Sequence, residues 1–117
     1  MTESTPALSA EDQKLVTLAR ATRGRTGGPE GAAVRDSDGR TYAAATVSLT
    51  SLHVSALGVC VAMAHSSGSQ GLEAAVLLTE VAEVAPLDLQ LLTEFAGEGV
   101  VVHIGDPRGT ISRSTST

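Results

Sequence analysis

The stretch LHVSALGVCVAMAH, Leu52 to His65, constrains the fold more than any other part of the chain. From Leu52 to Ala64, ten of thirteen residues are apolar. A helix lying on the surface would show polar positions every three or four residues. A segment apolar nearly all round has to be buried on more than one side, so the pattern predicts a core helix. Gly58 inside it costs about 1 kcal/mol relative to Ala. Close approach of another helix, from this chain or a second subunit, would offset that cost. The same run carries Ser55, Cys60, His53 and His65, which are residue types that nucleophilic and metal sites use.

The 117 residues suit one compact domain, and an apolar fraction of 42% supports a packed core. With one Tyr, one Phe and no Trp, the core must be filled by Ala, Val and Leu. The same scarcity leaves no aromatic platform for single-stranded nucleic acid. A net charge of −5 disfavours general binding to nucleic acid or anionic membranes. Lys14, Arg20, Arg23 and Arg25 cluster, and read as a solvated helix flank. The single Cys60 can make no internal disulfide, which fits a reducing compartment. No basic segment precedes an apolar one at the N-terminus, so no signal peptide is expected. Val54 to Ala64 is too short to span a bilayer. The expectation is a soluble, cytoplasmic protein.

Ser9 offers an N-cap, with Glu11 and Asp12 in the first turn, where acidic groups suit the helix dipole. Leu15, Leu18, Ala19 and Thr22 follow at helical spacing, and Gly24 is expected to stop the helix. RTGGPEG, Arg25 to Gly31, is a loop by its glycine and proline content and matches no phosphate loop. AAVRD and RTYAAATV flank SDG, a hairpin signature closed at Asp38 and Gly39. LEAAVLLTEV, Leu72 to Val81, reads as a buried strand. APLDLQLLTEFAGEG reads as a helix with Pro86 near its start, Asp88 in its first turn and Gly97 or Gly99 at its close. VVVHIG is a β-branched strand, DPRG a turn, and TISR a short edge strand. The expected limits are a disordered N-terminus over 1–9, one domain over 10–113 and a disordered tail over 114–117. The order implies an α/β fold with a mixed sheet covered by helices, its later strands parallel.

That order, with GAAV, DGRTY and LLTEF in it, resembles the small zinc-dependent cytidine deaminases. The family runs from a helix into an x-P-x-G-A-A strand, a D-G-R turn and an N-x-E motif. A C-A-E or H-A-E helix, a further strand and a P-C-x-x-C helix leading into Q-x-x-x-E-F follow. This chain has Pro29, Gly31, Ala32 and Ala33, then Asp38, Gly39, Arg40 and Tyr42, then Gln90, Glu94 and Phe95. The likeness covers roughly residues 10 to 105, and the family's usual extra C-terminal segment is not expected here. It implies a three-layer α-β-α sandwich with a mixed sheet of four to five strands. It also implies a dimer or tetramer, and in the family a zinc ion that activates water beside a proton-shuttling Glu.

The resemblance fails at the chemistry. Anchored on Gly68, the C-A-E motif falls on Ser55, Ala56 and Leu57. Anchored on Gln90, Glu94 and Phe95, the C-x-x-C motif falls on Ala85 and Asp88. The ribose-clamping N-x-E falls on Thr46 and Ser48, and the aromatic beside the base falls on Gly28. Ser and Ala cannot replace thiolates on zinc, and Leu57 cannot carry a proton. The expectation is that zinc and catalysis are both absent. The chain then reads as a catalytically degenerate, non-enzymatic binding or scaffolding oligomer.

On a helix, His53 would share a face with Leu57, so His53 and Asp88 are candidates for a substitute metal site. Asp88 alone reads as a dipole-stabilised carboxylate, typically worth about 0.3–1 kcal/mol. Cys60 shares a face with Ala56 and Ala64 and reads as a small buried hydrophobe. Ser55 as a nucleophile lacks a base and an oxyanion hole. His103 alternates with Val102 and Ile104, and is expected to face solvent or a subunit contact. Three other functions stay open. They are a cytidine deaminase with an atypical site, a metal-free nucleoside or nucleotide binder, and an RNA-associated factor using Arg20, Arg23 and Arg25. Membrane binding is not expected, nucleic acid is disfavoured, and the small-molecule ligand is open.

Overall fold

The computed structural model describes residues 8–81 and 83–117. The elements, in chain order, are α1 (Ala10–Thr26), β1 (Gly31–Asp36), β2 (Thr41–Ala45), β3 (Val47–Leu49) and β4 (Leu52–Val54). They continue with α2 (Ala56–Ser66), β5 (Leu72–Leu78), α3 (Pro86–Ala96), β6 (Val101–Gly105) and β7 (Ile111–Ser116).

Ser9 caps α1 as the sequence predicts, its Oγ accepting from the Asp12 N–H at 3.1 Å. The helix does not stop at Gly24. An interior glycine weakens a helix without ending it. The left-handed residue that ends α1 is Gly27, at φ 71°, with its N–H on the Arg23 carbonyl at 2.8 Å.

The Asp38–Gly39 hairpin joins β1 to β2 in antiparallel register, Arg35 opposite Thr41 and Gly31 opposite Ala45. Its organising group is Asp36, which is fully buried. One carboxylate oxygen accepts the N–H groups of Asp38 and Arg40, both at 2.9 Å, and the other accepts the Tyr42 hydroxyl at 3.1 Å. Burial pushes the acid's pKa up, but the hydrogen bonds from Arg40, Asp38 and Tyr42 outweigh it and hold it below the ordinary aspartate value.

The main sheet has five strands in the order β2-β1-β5-β6-β7. β5 and β6 are parallel, as expected of the later strands, and the other neighbours are antiparallel. Strand alternation sends Ala33, Ala74, Val76 and Leu78 to one face, under Leu15, Val16 and Ala19 of α1. Ala32, Val34, Ala75, Leu77, Val102 and Ile104 go to the other face, with Ala56, Leu57, Cys60 and Leu92 of α2 and α3. The result is the expected three-layer sandwich with a mixed five-stranded sheet. Small side chains let the layers approach closely. A Cβ on Gly31 would lie 2.5 Å from the Ala19 carbonyl oxygen and 2.6 Å from the Arg23 Cβ.

Several expectations need correction. Leu52–Val54 is not helical; it pairs with Val47–Leu49 in a two-stranded hairpin turning at Thr50 and Ser51. The β-branched Val47 and Val54 favour strand, and Ser55 then caps a helix that begins only at Ala56. Leu49 and Leu52 consequently stand exposed at the hairpin tip. Residues 114–117 are not a disordered tail. Ser114 to Ser116 belong to β7, and the Thr117 N–H donates to the Val100 carbonyl at 3.0 Å. The edge of β6 supplies the partners that local sequence does not reveal. At the other end, Leu8 packs against the α1 core and Ser9 is the cap, while residues 1–7 lie outside the described residues. Among the described residues no helix is long and apolar enough to cross a membrane.

Candidate functional site

α2 and α3 begin side by side, and their first turns form the site. Ser55 has extended backbone, φ −65° and ψ 158°, so its Oγ reaches forward to accept the Gly58 N–H at 3.0 Å. The same hydroxyl donates to Asp88 Oδ1 at 2.6 Å. Asp88 sits in the first turn of α3, buried, behind Pro86 and an Ala85 N-cap that offers no side-chain acceptor. A carboxylate therefore lies near two helix N-termini, where the dipoles favour negative charge. Gly58 is required here. A Cβ on it would lie 2.9 Å from Ser55 Oγ, 3.0 Å from Val54 Cγ1 and 3.8 Å from Leu91 of α3. The crowding at Gly58 comes from its own N-cap segment, Ser55 and Val54, and not from the close approach of another helix that the sequence predicts, since Leu91 of α3 lies at ordinary contact distance.

Ser55 and Asp88, two of the motif positions singled out in the sequence, are brought into direct contact. Leu57 is fully buried in the core, and Ala85 is exposed at the start of α3. Gly28 and Thr46 also meet: a Cβ on Gly28 would lie 3.7 Å from the Thr46 carbonyl oxygen. The Thr46 N–H donates to the Glu30 carbonyl at 3.2 Å, while its buried hydroxyl has no hydrogen-bond partner among the described residues. Ser48 does not join them. It is exposed on β3, opposite His53, with Ser48 Oγ 3.5 Å from His53 Nδ1. His53 lies on an exposed strand, so the helical face that would have carried it beside Leu57 does not exist. A cavity of about 310 Å³ opens beside Ala85, lined by Glu30, Val81, Glu83, Val84 and Pro86.

These residues do not fit zinc. Ser55, Ala85 and Asp88 offer a hydroxyl already spent on a helix cap, a methyl group and one carboxylate. A zinc site needs three or four thiolate, imidazole or carboxylate ligands. Among the described residues no group of three His, Cys, Asp or Glu side chains is placed to hold a metal ion. Cys60 offers no substitute nucleophile, because burial pushes its thiol up to about 12.

Sequence reasoning missed a polar network on the opposite face of the sheet. His103 does not face solvent. It is 6% exposed, its Nε2 2.8 Å from Asp12 Oδ2 and its Nδ1 2.7 Å from Ser114 Oγ. Asp12 Oδ1 accepts from Arg35 at 2.9 Å, and Arg35 also donates to Glu73 at 2.8 Å. The network ties α1 to β1, β5, β6 and β7. Burial pushes Asp12 up, but hydrogen bonds and charge from His103 and Arg35 hold it below the usual aspartate value. Asp12 and His103 are 91 residues apart, so no local signal marks the pair.

Comparison with known proteins agrees with this fold. The cytidine deaminase from Burkholderia pseudomallei is 20% identical, with 93% of each chain covered and a TM-score of 0.76. The enzyme from Mycobacterium leprae is 18% identical over 90% of this chain and 94% of that one, with a TM-score of 0.71. That from Mycobacterium tuberculosis is 22% identical over 80% and 85%, with a TM-score of 0.69. No curated protein sequence matches significantly. At these identities the structural likeness establishes the fold alone. The family model described as cytidine deaminase-like matches residues 8–109, and the chain belongs to the cytidine deaminase-like family.

Proposed function

We propose that this chain is a catalytically degenerate member of its family, a non-enzymatic binding or scaffolding protein that works as a homo-oligomer in the cytoplasm. One observation carries the reading. The positions of two family zinc ligands, Ser55 and Asp88, are engaged with each other at 2.6 Å. Two further replacements support it. Ala85 has no donor, and Leu57, at the proton-shuttle position, is buried in the apolar core. Oligomer formation is supported by large apolar side chains left on the surface, Leu49 and Leu52 on the β3–β4 hairpin and Leu87 at the start of α3.

The test is metal analysis of protein purified without chelator, paired with a cytidine deamination assay. Near-stoichiometric zinc together with turnover overturns the proposal. A second reading, a metal-free nucleoside binder, is favoured by the cavity beside Ala85 and the unpartnered Thr46 hydroxyl. A rise in melting temperature with cytidine or uridine separates it from a pure scaffold.

A further inference from the structure

A second cleft, of about 570 Å³, lies on the α1 side of the sheet, away from Ser55 and Asp88. It opens at the carboxyl ends of the parallel strands β5 and β6, which are held together where the Thr79 N–H donates to the Gly105 carbonyl at 2.8 Å. In open α/β sheets this is where ligands bind. The β6–β7 turn forms one wall and rests on α1, with Arg20 Cδ 3.3 Å from where a Gly109 Cβ would stand.

The lining carries two cations, Arg23 and Arg108, and two carboxylates, Glu80 and Asp106. Arg23 is half-buried, and its Nε donates to the Gly28 carbonyl at 2.9 Å, which fixes the plane of the guanidinium. Its terminal amino groups form no ion pair among the described residues, nor does exposed Glu80. Asp106 is held by the N–H groups of Arg108 and Thr110 at 2.9 and 3.1 Å, and its other oxygen is 4.0 Å from Arg108.

A phosphate dianion here would face two carboxylates, and an apolar ligand would desolvate four charged groups without compensation. A ligand carrying both signs meets neither objection. We infer that this cleft binds a small zwitterion, a free α-amino acid. The Arg23 fork holds the carboxylate, and Glu80 with Asp106 holds the ammonium group.

The test is calorimetric titration of the full chain with a panel of free α-amino acids at millimolar concentration. N-acetyl and carboxamide forms of the tightest binder, and inorganic phosphate, serve as probes. The expected result is saturable binding by at least one amino acid, weakened at least about tenfold by blocking either end. Arg23→Gln and Glu80→Gln weaken it likewise, and Glu80, being exposed, can be changed without loss of folding. The inference is overturned by no saturable binding from any member, by blocked forms that bind equally well, or by phosphate binding that depends on Arg23.

Discussion

The Ser55 hydroxyl is both an acceptor and a donor: it takes the Gly58 N–H at 3.0 Å and gives its own hydrogen to Asp88 at 2.6 Å. One side chain therefore caps α2 and clamps α3 to it. Removing the hydroxyl in Ser55→Ala takes away the cap, worth about 1 kcal/mol. It also strands a buried carboxylate, at a cost of about 1–3 kcal/mol. We expect Ser55→Ala to lower urea stability by about 2–4 kcal/mol on the sum of those terms. A cycle with Asp88→Ala should return a coupling of about 0.5–3 kcal/mol. Additive losses would show that the 2.6 Å contact does not contribute.

Acid should destabilise the protein through two aspartates. Asp12 and Asp36 both have folded pKa values lowered from 3.8. A depressed acid contributes stability that is fully present above its unfolded value and is lost as pH falls through its folded value. The window therefore opens near pH 3.8 and extends below it. Urea midpoints measured from neutral pH downward should fall steeply there. Asp36→Asn should be less stable at neutral pH by about 1–3 kcal/mol, because the amide nitrogen cannot accept what the second oxygen accepts. Its acid dependence should be shallower, and a variant that keeps the full slope would remove Asp36 as a cause.

The Cys60 thiol should be silent in the folded protein. It is fully buried and sits 3.6 Å from the Tyr42 carbonyl oxygen. A disulfide reagent such as Ellman's should react only at the rate of unfolding at neutral pH, and stoichiometrically in denaturant. Fast labelling of native protein would contradict the packing of α2 on β2.

Much of this fold was legible because the decisive signals are local. Ser9 with Asp12, Asp38 with Gly39, and Pro86 ahead of Asp88 each fix a boundary within four residues. What was hidden depends on partners far along the chain. His103 alternates with apolar neighbours as a solvent-facing residue would, and only Asp12 and Ser114 explain its burial. The tail Ser114 to Ser116 has no apolar pattern, and becomes a strand because the edge of β6 is free to pair. The β3–β4 hairpin is hidden because Leu52 and Val54 run into the mostly apolar stretch after Ser55 with no change of pattern. Composition does not say that Ser55 is a boundary rather than an interior residue. In the candidate site, the motif positions could be located from sequence, but the bond between Ser55 and Asp88 spans 33 residues.

The side chains at Ser55, Ala85 and Asp88, a hydroxyl, a methyl and a carboxylate in place of thiolates, predict a gain on replacement. If Ser55, Ala85 and Asp88 occupy ligand positions, the triple replacement Ser55→Cys, Ala85→Cys and Asp88→Cys should bind zinc at near-stoichiometric level. The parent chain should not. Cobalt substitution would then give the intense visible bands of tetrahedral thiolate coordination. Restoring only the proton carrier, Leu57→Glu, should yield no metal, and should destabilise the core by burying an unpaired carboxylate.

Two glycine substitutions should move stability in opposite directions and so test the packing of α1. Gly24 lies inside the helix with nothing within 4 Å of a Cβ built on it. Gly24→Ala should stabilise by about 0.5–1 kcal/mol through helix propensity. Gly31 has the opposite surroundings, with backbone oxygen of Ala19 at 2.5 Å and Arg23 Cβ at 2.6 Å from its would-be methyl. Neither neighbour is the free end of a flexible side chain, so α1 must shift off the sheet. Gly31→Ala should cost about 1–3 kcal/mol. Because Asp12 and Arg23 ride on α1, the same shift should disturb the His103 contact and the Arg23 wall of the second cleft. Equal stabilities for the two variants, read by thermal or urea unfolding, would contradict the close seating of α1 on β1.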